Sequence, residues 1–177
     1  MNVRRVVTGK TPEGKSVFVS DTVVEPITPL LTPGSEFHNI WGSDTIPQLP
    51  QDGTLPPFTA WFPPAGGYRF GFFSVAPANA GPPQVTDMSA AIADFEAKLP
   101  GLMGHMEPGA PGMHTTNTID VEYVISGEVW LELDDGAEVR LGPGDTIVQN
   151  GTRHAWRNKG EVPCVMALLL IGAVPPA

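Results

Sequence analysis

Apolar residues in this chain come in short alternating runs separated by glycine and proline. VRRVVTG and KSVFVSD flank Lys10-Thr11-Pro12-Glu13-Gly14, so a β-hairpin is expected, with Pro and Gly in its turn. A proline-rich passage follows from Glu25 to Pro64, broken by the apolar segment Phe37-His38-Asn39-Ile40-Trp41. Tyr68 to Val75, YRFGFFSV, reads as a strand in which Gly71 marks a bulge or a close backbone approach. One stretch, DMSAAIADFEAKLPG, has helical spacing. Met88, Ile92, Phe95 and Leu99 fall on one stripe, Asp87 or Ser89 caps the start, Lys98 suits the end, and Pro100-Gly101 stops it. Beyond Gly101 the pattern is strand and turn. Val129, Leu131 and Leu133 alternate with Trp130 and Glu132, and Asp134-Asp135-Gly136 turns the chain. Glu138 to Leu141 returns antiparallel, Gly142-Pro143-Gly144-Asp145 turns again, and Thr146 to Gln149 is the next strand. Short strands with such frequent turns suit an all-β sandwich or jelly-roll barrel.

Composition narrows the class. With 177 residues, 20 Gly, 20 Pro and a 41% hydrophobic fraction, the chain has material for one domain with a real core and is not of the disordered kind. A net charge of −9 argues against nucleic acid or an anionic membrane as the main partner. The one cysteine, Cys164, lies in the apolar run VPCVMALLLIG and reads as a core thiol rather than a nucleophile. No disulfide forms within one chain, which fits a reducing, cytoplasmic setting. MNVRRVVTGKTPEG has no apolar stretch after its arginines, so a signal peptide is not expected. No run is long enough for a membrane span. No second copy of the histidine-bearing segment occurs in the first half.

The segment from Gly109 to Asn158 carries the chemistry. His114, Thr116, Asp120 and Glu122 share parity, so an unbroken strand would aim them at one side. If that side is a barrel interior, the polar groups are costly unless paired, metal-bound or wetted by a cavity. Two carboxyls close together in low dielectric raise at least one pKa. A nearby histidine adds a group that titrates close to neutrality. Such a set can remove a proton next to a carbonyl and hand one to a leaving hydroxyl or carboxylate. The plainer alternative is a salt-linked His–Asp pair that only braces the barrel.

This segment resembles the paired motifs of the cupin superfamily from Leu102 to Ile171. Pro108-Gly109 precede His114, and Asp120 keeps the family's carboxylate-to-glycine spacing to Gly127. Gly144 opens the second motif and Gly151, His154 and Asn158 close it, with Gln149-Asn150 in place of the usual proline region. Thr116 stands where a second histidine is usual, and Asp120 where a glutamate is usual. The resemblance implies an all-β, cupin-type jelly-roll β-barrel over residues 100–177, a connecting helix over 87–99, and an N-terminal β extension over 1–86. That extension is expected to pack on the barrel or on a dimer partner. By position the metal candidates are His114, Asp120 and His154, a set similar to the facial triad of non-haem iron. A divalent metal (Fe, Zn, Mn or Ni) and a metal-free pocket are the two alternatives, and Glu122 could supply the carboxylate instead.

Catalytic candidates are therefore His114, Asp120, Glu122 and His154, and substrate-binding candidates are His105, Thr116, Gln149 and Trp156. Arg153 and Arg157 either face solvent or hold an acidic substrate at the mouth, and His38 and Trp41 default to solvent or core. Three functions stay open. The first is a lyase-type enzyme that dehydrates, decarboxylates or isomerises a carbonyl or hydroxyl metabolite. The others are a metal-dependent dioxygenase with a His-Asp-His triad and a non-catalytic small-molecule-binding module. The expected partners are a small-molecule substrate and a second copy, in a homodimer that exchanges N-terminal strands and covers the hairpin edge.

Overall fold

The computed structural model describes residues 1–57 and 59–175 and contains ten strands and one α-helix. The expected hairpin is present: β1 (Val3–Lys10) pairs antiparallel with β2 (Ser16–Val24). β3 (Phe37–Ser43), β4 (Tyr68–Val75), β5 (Thr118–Ser126), β8 (Thr146–Asn150) and β10 (Cys164–Gly172) form a five-stranded antiparallel sheet. Its order is β3-β4-β10-β5-β8. β6 (Val129–Glu132), β7 (Glu138–Leu141) and β9 (Ala155–Arg157) make a second sheet of order β7-β6-β9.

The core lies between these two sheets because strand alternation puts one face of each inward. On β5, Thr118, Asp120, Glu122 and Val124 are buried while Ile119, Val121, Tyr123 and Ile125 are exposed. On β10, Cys164, Met166, Leu168 and Leu170 are buried. They join Val129, Leu131 and Leu141 of the smaller sheet, with Trp61 and Phe73, in one cluster. Burial pushes the Cys164 thiol up to about 11, as suits an inert core cysteine.

Strands β3 and β4 lie within the segment expected to pack on the barrel, and they belong to its larger sheet. β4 pairs with β10 from Tyr68↔Ile171 to Val75↔Cys164. A Cβ at Gly71 would fall 2.4 Å from the His38 carbonyl oxygen, which is the close approach its glycine signals. Gly127, between β5 and β6, has φ +75°, and a Cβ there would fall 2.5 Å from the Pro163 carbonyl oxygen. Both the turn and the approach require glycine. The buried Arg69 of β4 pairs with Asp44 and donates to the carbonyls of Ser43 and Ala60, tying down the proline-rich passage. His38 is fully buried on β3.

The helix α1 (Met88–Lys98) is capped by Asp87, whose carboxylate accepts the Ala90 N–H at 3.0 Å. Its buried face differs from the expected stripe. Ala91, Phe95 and Leu99 are buried, while Met88 and Ile92 are 54% and 43% exposed. The helix turns Ala91, Phe95 and Leu99 to the core, which leaves Met88 and Ile92 on its outer side.

The outer face of the larger sheet is apolar as well. Ile119, Val121, Tyr123 and Ile125 stand beside Val165, Ala167, Leu169 and Ile171 of the paired strand, with no charged residue at these positions. Antiparallel sheets that face water normally alternate apolar-in and polar-out. Among the described residues no helix is long and apolar enough to cross a membrane.

Candidate functional site

An isolated antiparallel bridge just before β5 and β9 brings the two motifs together. His114 and His154 exchange backbone hydrogen bonds, each N–H donating to the other's carbonyl at 3.0 Å, and their rings lie 4.2 Å apart. Asp120 and Glu122 project from β5 into the same cavity, which measures about 210 Å³. Four residues separated by up to forty positions thus line one space, as the parity and the motif spacing led one to expect.

Each imidazole is held in one tautomer. His154 Nδ1 is 2.8 Å from the Thr152 carbonyl and His114 Nδ1 is 3.0 Å from the Gly112 carbonyl, so each Nδ1–H donates and Nε2 is left as an acceptor. Burial lowers both pKa values, with the neighbouring imidazole adding to the effect at His154, which falls to about 4. Both rings are neutral at pH 7.

The carboxyls move the other way. Burial raises Asp120 to about 6 against a smaller opposing hydrogen bond from Thr118. Burial, then the Asp120 charge, raises Glu122 to about 8. Near neutrality Asp120 is mainly ionised and Glu122 mainly protonated. Gln149 lies opposite Asp120 in the β5–β8 register. Its amide nitrogen donates to Glu122 Oε2 at 3.2 Å and to His154 Nε2 at 3.0 Å. Asp120 Oδ1 and Gln149 Oε1 are buried without a hydrogen-bond partner.

The other candidates divide. Trp156 lines the cavity, its ring 6.0 Å from that of His154. Thr116 is buried but its hydroxyl is engaged with that of Thr118 at 2.7 Å. His105 bonds the Thr115 carbonyl and stacks edge-on against Phe62, lining a neighbouring groove instead of this cavity. Arg153 is clamped by Glu107 and Asp134, and Arg157 by Glu132 and the Pro111 carbonyl, so neither is free to hold an acidic ligand. The opposite wall carries no signal in the sequence. Phe37, Trp61, Phe62 and Phe73 come from the first 86 residues, where no motif marked them. A larger, open concavity of about 820 Å³ runs between β1 and β3, and none of the candidate residues lines it.

The metal triad fits poorly. Among the described residues no three His, Cys, Asp or Glu side chains form a group able to hold a metal ion. His154 Nε2, the lone pair a metal would need, already receives the Gln149 amide. Thr116, in the position of a usual ligand, is spent on Thr118.

Residues 102–172 match the family model described as Cupin domain. Among curated proteins, the chain is 41% identical over 64 residues to Oryzines biosynthesis cluster protein J of Aspergillus oryzae, covering 36% of each. It is 35% identical over 80 residues to the cupin-domain-containing oxidoreductase srdB of Neurospora crassa, covering 42% of this chain and 41% of that one. The matches thus span well under half the length of these relatives. Among solved structures, the polyketide cyclase RemF of Streptomyces resistomycificus aligns over 86% of this chain and 77% of its own, at 16% identity and a TM-score of 0.46. Residues 102–172 thus form a cupin domain, and the chain is a small cupin-type protein.

Proposed function

We propose that this cupin is a small-molecule enzyme of lyase or isomerase type that works by proton transfer between two unlike carboxyls. The observation that carries the reading is the Asp120–Glu122 pair. The two share one face of β5 and one cavity, yet near neutrality one is ionised and the other protonated. Carboxyls whose environments drive their pKa values apart divide naturally into base and acid.

In a dehydration, the Asp120 carboxylate takes a proton from the carbon next to a carbonyl. The electron pair of that C–H bond forms the new double bond and expels the β-hydroxyl. Glu122 gives its proton to the departing oxygen, which leaves as water. Asp120 then holds a proton and Glu122 a negative charge, and proton transfer through solvent restores the starting state. In an isomerisation the proton returns to a different atom of the same substrate. His114 Nε2 supplies a neutral acceptor, and Gln149 holds Glu122 and His154 in register. General acid–base contributions of this kind are worth roughly 10²–10⁴-fold in rate.

Relatives named oxidoreductases give the dioxygenase alternative its support. The residues here favour proton transfer, because Gln149 occupies the His154 nitrogen that a triad would use. The test is a set of β-hydroxy carbonyl compounds in D₂O, read by mass spectrometry for deuterium at the carbon next to the carbonyl. Exchange is expected, with loss of at least about a hundredfold in Asp120→Asn and in Glu122→Gln. Exchange that survives both substitutions, or turnover that requires added iron and consumes oxygen, overturns the proposal.

A further inference from the structure

What the cavity admits is written in its walls. Phe37 meets Trp61 edge-on at 5.5 Å and stacks against Phe73 at 6.5 Å, while Phe62 and Trp156 close the sides. Aromatic walls pack best against another flat ring. The volume of about 210 Å³ sets the size. An apolar cavity of roughly 150 Å³ holds benzene, so this one has room for one ring or two fused rings.

Charge selects further. No Lys or Arg is among the described residues lining the cavity, and each histidine already gives its Nδ1–H to a backbone carbonyl. A carboxylate or phosphate would enter beside Asp120 and Glu122 with no cation to pair it, and burying an unpaired charge is strongly unfavourable. A sugar would leave most of its hydroxyls facing aromatic carbon. One hydroxyl, however, is wanted. Asp120 is 3% exposed and its Oδ1 has no hydrogen-bond partner, an unpaired acceptor that a ligand O–H would satisfy.

We propose that the cavity binds an uncharged, planar, mostly apolar molecule of one or two fused rings that donates one hydroxyl to Asp120: a phenol or a conjugated enol. This deepens the proton-transfer reading and rests on it, because an enol is the form in which a carbonyl compound presents such a hydroxyl.

Calorimetric titration of the full chain at pH 7 tests it with four indanes of one shape. 5-Indanol is expected to bind about tenfold more tightly than 5-methoxyindane and indane, which lack the donor, and more tightly still than indane-5-carboxylate. Asp120→Leu is expected to abolish the preference for 5-indanol over indane. The methoxy comparison needs no variant, so the test stands even if Asp120→Leu does not fold. Equal or tighter binding of the carboxylate overturns the proposal, as does 5-indanol binding no better than 5-methoxyindane, or no binding of any of the four. 5-Indanol selectivity without deuterium exchange in any carbonyl substrate would sink the reaction and keep the ligand class. Exchange confined to charged substrates would do the reverse.

Discussion

Glu122→Gln separates a titrating acid from a merely buried polar side chain. Glu122 is 5% exposed, and burial with the Asp120 charge raises its carboxyl from an ordinary 4.5 to about 8. The folded chain keeps a proton that the unfolded chain releases above pH 4.5. Between pH 4.5 and about 8 the folded state therefore binds more protons, and stability falls as pH rises. At about 1.4 kcal/mol per pH unit the interval is worth at most roughly 5 kcal/mol. Glutamine has no proton to lose, and its carbonyl can still accept the Gln149 amide. The variant is expected to match the wild type near pH 4.5 and to exceed it by on the order of 3 kcal/mol at pH 8. The depressed histidines act in the opposite sense, because their contribution is lost as pH falls from the ordinary 6.5 through their folded values. They are common to both proteins and cancel in the difference. Urea unfolding at a series of pH values, with unchanged m, measures it. A stability difference that does not vary with pH, or a wild type more stable than the variant at pH 8, refutes the protonated Glu122.

Three other outcomes are expected. Gln149→Leu strips the amide from both Glu122 and His154, so a loss of about 1–3 kcal/mol should accompany a shift of the His154 Nε2 nitrogen resonance; an unmoved resonance would remove Gln149 from its positioning role. Gly127→Ala forces an L-residue into positive φ against the Pro163 carbonyl, and thermal unfolding should show a loss of at least about 2 kcal/mol. We also propose that the expected homodimer, beside any exchange of N-terminal strands, covers the outer face of the larger sheet, where Val121, Tyr123, Ile171 and Phe70 stand 37–46% exposed. A specific dimer buries roughly 800 Å² per partner, so light scattering should give twice the chain mass and Val121→Lys should halve it. A monomeric wild type would rule the dimer out.

Much of the fold was legible because alternation is a local property. Tyr68–Val75 and the Val129–Leu141 hairpin show inside and outside in adjacent residues, and the glycines mark where the backbone must turn or touch. The parity of Asp120 and Glu122 likewise placed both on one face before any partner was known. The buried face of the helix is less legible, since which of several apolar positions is buried depends on what it lies against. Met88 and Ile92 lost that contest to Ala91.

The strands, their turns and the set of inward polar groups follow from near neighbours and short spacings, so they are written in the order of the residues. What those groups can do depends on how the chain folds around them. The tertiary structure brought the aromatic side chains of the first 86 residues to face His114 and His154, and turned Arg153 and Arg157 away into ion pairs. It set Gln149 on the nitrogen that a metal would have used. Burial then pushed two carboxyls apart in pKa, and burial is a property of everything that surrounds a residue rather than of the residues beside it.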